Sequence, residues 1–553
     1  MCLIYRKHDH HERSISSLWT FVLICCSFLL LTACGNTTSP ASTTESAPTP
    51  VTEGATDTDF PSVTSSDAAT VAAPTDDTAS VESSAEITTT AELSYNDCPF
   101  EPPESASVTC ATLIVPEDRS QPDGNRVELA VAIIESFADE PANDPMIYLD
   151  GGPGNSALSD LDSWIDYGYA DERDVVLFDQ RGTGYSLPDL NCPEYDEFDD
   201  TIDAMQACHD RLVAEGIDLT QYNSAASAAD VNDLIRALGY EEANLFGISY
   251  GTRLALTTMR DFPDHIRSVV LDSVYPPDGD SYIDQAHHID GAFTALFEGC
   301  AANEECNEAF PDLEEMFYTL VDELDAETID IEFINAETDE LEEVTVDGQT
   351  LIDMVFNTLY DTDTIPILPL VIADTAEGYD DWLIELAESG VAGFGRYQPV
   401  DAEPDGDSEG MFYSVECHEE MALSDYDTAI EEASKYPYLE DYLVSSIDED
   451  AAICAIWGAG SADPIESENV ESDIPTLILV GSYDPVTPPE WAQLAAEGLT
   501  NHQYYEFPGF GHSVSVSHDC PASIALQFLD DPTAEPDAGC LEDLLDGPDF
   551  ELP

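Results

Sequence analysis

Three residues far apart in this sequence could together make an acyl-transfer catalyst. Gly247-Ile248-Ser249-Tyr250-Gly251 sets a serine between two glycines, directly after the apolar run 244–246 and ahead of the helical run 252–259. A strand that turns sharply into a helix would expose Ser249 at the tip, and side chains at the glycine positions would collide with the neighbouring strand and helix. A serine hydroxyl is a poor nucleophile near neutral pH, so it needs a base within hydrogen-bond reach and a carboxylate to fix that base's tautomer. Asp484 stands just past the apolar run 476–480, and Phe507-Pro508-Gly509-Phe510-Gly511-His512-Ser513 puts His512 in a glycine-rich loop. A tetrahedral intermediate's negative charge must also meet preorganised N–H donors. Asp150-Gly151-Gly152-Pro153-Gly154 follows the run 146–149, and because Pro153 has no N–H the expected oxyanion donors are the backbone N–H groups of Gly152 and Tyr250.

The elements that must position these residues read as an α/β fold. Runs 146–149, 175–178, 244–247, 268–271 and 476–480 have the length and β-branched content of fully buried strands. Between two of them, Val231, Leu234, Ile235 and Leu238 recur at helical spacing. Alternating strand and helix predict a mostly parallel sheet covered on both faces. Upstream, runs 112–115 and 127–134 flank Pro122-Asp123-Gly124-Asn125 and predict an antiparallel hairpin. From Pro276 to about Ile465 helical patterns dominate, including 293–296, 313–324 and 382–386, before the sheet resumes at Thr476. The expected organisation is a large, mainly helical cap, 276–465, inserted between core parts 94–275 and 466–553; the alternative is a separate downstream domain.

Composition narrows the compartment and the partners. With 116 acidic and 14 basic residues the 553-residue chain carries −102, which excludes charge-driven binding to nucleic acid. Lys7 and Lys435 are the only lysines, and the acidity reads as a solubility adaptation to salt. Arg6 and Lys7 precede the apolar run 18–31, shorter than the roughly 20 residues a spanning helix needs. It ends in Leu31-Thr32-Ala33-Cys34, which resembles the lipobox of bacterial lipoproteins. That resemblance implies a signal peptide over 1–33, lipidation of Cys34, and a protein held on the extracellular side of the membrane by acyl chains. His8, Asp9, His10, His11 and Glu12 would leave with the signal and form no metal site. Residues 34–93 are rich in Thr, Ser, Pro and acid and poor in large apolar side chains, the composition of a disordered tether.

Ten further cysteines remain, an even number: Cys98, Cys110, Cys192, Cys208, Cys300, Cys306, Cys417, Cys454, Cys520 and Cys540. Pairing sequence neighbours gives five bridges suited to an oxidising exterior, although connectivity does not follow from sequence alone. No CxxC pair or histidine-rich spacing suggests zinc, and no cofactor is expected.

Four blocks now carry a resemblance over roughly residues 98–529: Gly151-Gly152-Pro153-Gly154, Asp179-Gln180-Arg181-Gly182-Thr183-Gly184-Tyr185-Ser186, Gly247-Ile248-Ser249-Tyr250-Gly251-Thr252, and the Asp484/His512 pair. Together they resemble the α/β-hydrolase fold, in the branch of serine exopeptidases that includes proline iminopeptidases and tripeptidyl aminopeptidases. The order Ser249, Asp484, His512 is the one hydrolases of that fold use. The chain departs from proline iminopeptidases in having Asp150 where a histidine often precedes the glycines, and its cap, terminal cysteine pairs and export signal look closer to tripeptidyl aminopeptidases.

The resemblance implies a metal-independent serine aminopeptidase taking peptide substrates, with an acidic anchor for the substrate's α-ammonium group. Ser414-Val415-Glu416-Cys417-His418-Glu419-Glu420 resembles a cysteine-plus-acid stretch of the family's cap and nominates Glu419. An esterase or amide hydrolase acting on a small molecule is the alternative with the same chemistry, and a non-catalytic surface binding protein is the alternative from another class.

Overall fold

Apolar runs too short for helices become the centre of a sheet. In the computed structural model, which describes residues 91–553 except 199, 335–340, 389–406 and 546, the strands are β1 (Glu92–Asn96), β2 (Val108–Pro116), β3 (Arg126–Ile134), β4 (Met146–Leu149), β5 (Val175–Phe178), β6 (Ala243–Ile248), β7 (Ile266–Asp272), β8 (Ile329–Ile334), β9 (Leu341–Val346), β10 (Thr476–Gly481) and β11 (His502–Phe507). Nine form one sheet in the order β1-β2-β3-β5-β4-β6-β7-β10-β11. The strands β1 to β3 pair antiparallel and the chain from β5 to β11 pairs parallel, joined by an antiparallel β3–β5 contact. The expected signal peptide, Cys34 and nearly all of the tether lie outside the described residues. The tether boundary at 93 is corrected: Glu92 and Leu93 already pair with Ile114 and Leu113, and Leu93 packs against the core.

Because successive strand residues point to opposite faces, each apolar run feeds two cores. Ile147, Leu149, Leu245, Leu271 and Val480 meet Val231, Leu234 and Ile235 of the helix Ser224–Leu238 on one face. That helix starts at Asn223, whose side chain accepts the Ala226 N–H, and stops at Gly239 in the left-handed region. On the other face Tyr148, Leu177, Phe246, Val270 and Leu479 meet Trp164, Tyr169 and Phe528. Leu245 is fully buried, so Leu245→Ala would cost about 2–5 kcal/mol.

Between Asp272 at the end of β7 and Thr476 at the start of β10 the chain is mostly helical, with helices at Ser281–Ala302, Leu313–Ala326, Gly348–Thr358 and Glu440–Trp457 around a core of their own. One departure from the helical pattern is the hairpin β8–β9, whose alternation buries Ile331 and Phe333 and leaves Ile334 and Leu341 exposed. Residues 329–333 alternate apolar and acidic, which is the period of a half-buried strand. Five disulfides pair sequence neighbours: Cys98–Cys110, Cys192–Cys208, Cys300–Cys306, Cys417–Cys454 and Cys520–Cys540. Among the described residues no helix is long and apolar enough to cross a membrane.

Candidate active site

The strand β6 ends at Ile248 and the helix Tyr250–Asp261 begins two residues later, which forces Ser249 to φ 55° and ψ −127°. A residue with a Cβ adopts such a conformation only where its surroundings fix it, and that is common at reactive centres. Close packing explains the flanking glycine: a Cβ on Gly251 would lie 1.8 Å from the Leu149 carbonyl oxygen of β4. Ser249 is partly exposed between the buried Ile248 and Tyr250. Its N–H donates to the Asp272 carbonyl at the end of β7, at 3.0 Å.

The glycine loop after β4 lies against this serine, since a Cβ on Gly151 would stand 3.2 Å from Ser249 Cβ and 3.7 Å from its Oγ. Gly151 gives its own N–H to Asp150 Oδ1 at 2.7 Å, which leaves Gly152 to present the next N–H of the loop. Tyr250 is the first residue of its helix, so its N–H belongs to the first turn, which has no intrahelical acceptor. Asp150 is buried; Oδ1 also accepts the Tyr148 hydroxyl at 2.7 Å, and burial raises the carboxyl to about 6.

Adjacent parallel strands deliver the other two residues. Asp484 follows β10 and His512 follows β11; the loops fit closely because Gly481 has no side chain, its Cβ position lying 2.0 Å from the Gly511 carbonyl oxygen. His512 Nδ1 lies 2.8 Å from Asp484 Oδ2, which leaves Nε2 for a reacting group. Asp484 is 1 % exposed, and its Oδ1 accepts the N–H groups of Val486 at 3.0 Å and Thr487 at 2.9 Å. The Thr487 hydroxyl donates to Oδ2 at 2.7 Å and stands 3.2 Å from His512 Nδ1. Burial alone would raise the Asp484 carboxyl, but the His512 charge and hydrogen bond, with the Thr487 donors, hold it below the ordinary carboxylate value. Burial alone would likewise depress His512, yet Asp484, with a smaller push from Asp272, carries the imidazole above the usual histidine range.

The inserted segment reaches this loop. Tyr360 accepts the His512 N–H on its carbonyl at 2.9 Å and sets its ring 5.2 Å from the imidazole, while Thr362 Oγ1 accepts the Gly511 N–H at 3.1 Å.

Glu419, expected as the substrate anchor, has its partners inside the protein. Its Oε2 is 3.0 Å from Arg253 Nε and 2.8 Å from the Ser224 hydroxyl, and its Oε1 accepts the Ser224 N–H at 2.6 Å. Both oxygens are therefore used inside the protein, where the residue is 2 % exposed. Arg253 lies on the helix that starts beside Ser249; it also meets Glu420 at 2.7 Å and stands 4.9 Å from the Tyr275 ring centre. Glu416, on the same π-helical turn as Glu419, is buried against Tyr282 and has no ion pair among the described residues. Burial, then Glu420 and Asp450, raise its carboxyl well above the ordinary value.

Sequence reasoning passed over Asp272, Thr487, Tyr360 and Arg253. Asp272 was visible as a polar residue closing an apolar strand, and Thr487 as a hydroxyl three residues beyond a loop aspartate, the spacing of a local side-chain turn. Tyr360 had no local signal, because its contact with His512 is a long-range one. A single grouping of potential metal donors occurs among the described residues, Cys192, Glu194 and Cys208, and its two sulfurs are bonded to each other.

Residues 144–519 match the alpha/beta hydrolase fold family. The serine protease Hip1 of Mycobacterium tuberculosis is 24% identical over 463 residues, 77% of this chain and 86% of that protein. The tripeptidyl aminopeptidase of Streptomyces coelicolor is 29% identical over 244 residues, 39% of this chain and 44% of that protein. Among solved structures, a proline iminopeptidase of Mycobacterium smegmatis aligns with a TM-score of 0.35 at 15% identity, over 76% of this chain and 98% of that one.

Proposed function

Since the chain belongs to the alpha/beta hydrolase fold family, we propose that it is a serine aminopeptidase that removes short units from peptide N-termini outside the cell, tethered to the membrane through a lipidated Cys34. Ser249 attacks the peptide carbonyl. His512 takes the serine proton on Nε2, hands it to the leaving amine, and then activates the water that releases the acyl group, while Asp484 holds the tautomer and stabilises the imidazolium. The N–H groups of Gly152 and Tyr250 receive the oxyanion.

The observation that carries this reading is the 2.8 Å pairing of His512 Nδ1 with Asp484, on a loop bonded to the same Asp272 that holds the Ser249 N–H. A preference for a substrate amine is supported by the acid excess around Arg253: Glu419 and Glu420 pair with it, and Glu416 feels its charge while making no ion pair among the described residues. The peptidase names of the relatives point the same way. Extracellular placement is supported by the five disulfides, and tethering by the Leu31-Thr32-Ala33-Cys34 motif.

A fluorophosphonate probe should modify the wild-type protein and leave Ser249→Ala unmodified. Tripeptidyl and aminoacyl anilides with a free amine should turn over faster than their N-acetylated forms and than simple acyl esters. Equal turnover of blocked and free substrates removes the aminopeptidase assignment, and faster ester turnover makes the protein an esterase.

A further inference from the structure

One buried residue is hydrogen-bonded both to the proposed nucleophile's backbone and to the loop that carries the proposed base. Asp272, at the C-terminal end of β7, accepts the Ser249 N–H on its main-chain carbonyl at 3.0 Å. Its carboxylate takes the residues immediately after His512: Oδ1 accepts the Val514 N–H at 3.2 Å, and Oδ2 accepts the Ser515 N–H at 2.8 Å together with the Ser515 hydroxyl. The next residue joins in, for Ser273 Oγ accepts the Ser513 N–H at 2.8 Å. Ser249, Ser273 and Ser513 have φ of 55°, 58° and 62°, three of the five non-glycine residues with positive φ among those described. The Ser249 N–H on the Asp272 carbonyl, the Ser273 hydroxyl on Asp272 Oδ1 at 3.4 Å and the Ser513 N–H on Ser273 Oγ gather three strained serines around the Asp272–Ser273 pair, a junction whose geometry is imposed.

We propose that Asp272 is a positioning residue of the hydrolytic reaction, fixing the loop that carries His512 to the turn that carries Ser249 and adding a second negative charge behind the imidazole. The inference rests on the reading of Ser249 and His512 as nucleophile and base. Asp484 fixes Nδ1 and Asp272 fixes the backbone that follows, so the imidazole is held from two strands. Groups facing His512 are Asp484, Thr487, the Tyr360 ring and the Asp272 charge; those facing Asp272 are His512, Asp484 and Tyr169, whose hydroxyl donates to the Ser515 carbonyl at 3.0 Å.

The test uses the full chain and the rate of fluorophosphonate labelling across pH, with melting temperature measured beside it. Wild-type labelling at Ser249 comes first, because its absence ends the nucleophile reading whatever Asp272 does. Asp272→Asn should then label more slowly by on the order of tenfold or more, as expected when a base is misplaced by a fraction of an ångström. Its acid limb should also move to lower pH, because a negative charge favouring the imidazolium has gone. A Ser273→Ala/Ser515→Ala double variant keeps the carboxylate, and should label slowly with the limb in its wild-type place. An Asp272→Asn protein with the wild-type limb overturns the proposal, whether its rate is unchanged or falls along with its melting temperature. If that variant does not fold, the double variant decides: a wild-type labelling rate overturns the positioning role.

Discussion

The Thr487 hydroxyl lies 2.7 Å from the same Asp484 oxygen that faces His512 Nδ1, so one carboxylate oxygen is shared between a threonine and the imidazole. The hydroxyl hydrogen keeps that oxygen turned toward the ring and stabilises its charge in a site closed to water. Thr487→Val preserves shape and removes the donor. Loss of a hydrogen bond to a buried charge costs about 1.5–3 kcal/mol, so kcat should fall roughly ten- to a hundredfold with KM little changed. Steady-state kinetics on an anilide substrate checks this, and an unchanged kcat would make Thr487 a bystander.

The acid limb of the pH profile should report His512. Protonated imidazole cannot accept the serine proton, so activity is lost as pH falls through its pKa. Asp484 and Asp272 together carry that pKa above the ordinary histidine value of about 6.5, and the limb should lie above it too. In Asp484→Asn the largest opposing charge to burial is removed, so the limb should move to lower pH while the maximum rate drops. A wild-type limb below the ordinary histidine value contradicts this electrostatic account.

Glu419→Gln should act on stability before it acts on substrate choice. The substitution leaves the buried Arg253 with Glu420 alone, and breaking a buried ion pair costs about 3–5 kcal/mol, toward the lower end here because one partner remains. Urea denaturation should show that loss, and free and N-blocked substrates should be affected alike. A rise in KM confined to free-amine peptides, with stability intact, would return Glu419 to the role of anchor. Arg253→Met should be worse, since it strands Glu419 and Glu420 together beside the buried Glu416.

Stability should increase on mild acidification. Burial raises Asp179 to about 7 and Asp150 and Asp272 to about 6, against about 3.9 in an unfolded chain. Between these values the folded protein binds more protons than the unfolded one, so the free energy of unfolding falls as pH rises through the window and recovers as pH is lowered. Self-repulsion from a net charge of −102 works in the same direction and is screened by salt. The melting temperature should therefore climb from pH 8 toward about pH 5, and at neutral pH with added sodium chloride. A melting temperature that is highest above neutrality excludes the account.

The parts of this molecule that were legible in its sequence are those with local causes. The buried parallel strands announced themselves as short apolar runs, and the Ser249 turn needed its two glycines within one pentapeptide. The edge strand β11 was missed because His502, Gln503 and Glu506 interrupt its pattern, as solvent on one side permits. The surroundings of Glu419 were hidden for a different reason: in a chain with 116 acidic residues the type of a residue says little, and its partner Arg253 lies 166 positions away. The part Asp272 plays is likewise set by neighbours more than 240 residues downstream, which only the sheet order brings alongside.

The backbone of the proposed base hangs partly on Tyr360 and Thr362, which belong to the inserted segment. The insert is thus not an accessory that could be trimmed or exchanged to retune selectivity, because deleting it would remove the bonds that Tyr360 and Thr362 make to the histidine loop. Variation in what such a protein accepts must be sought in the stretches of the insert away from these two residues, which restricts where an engineer, or natural drift, has room to work.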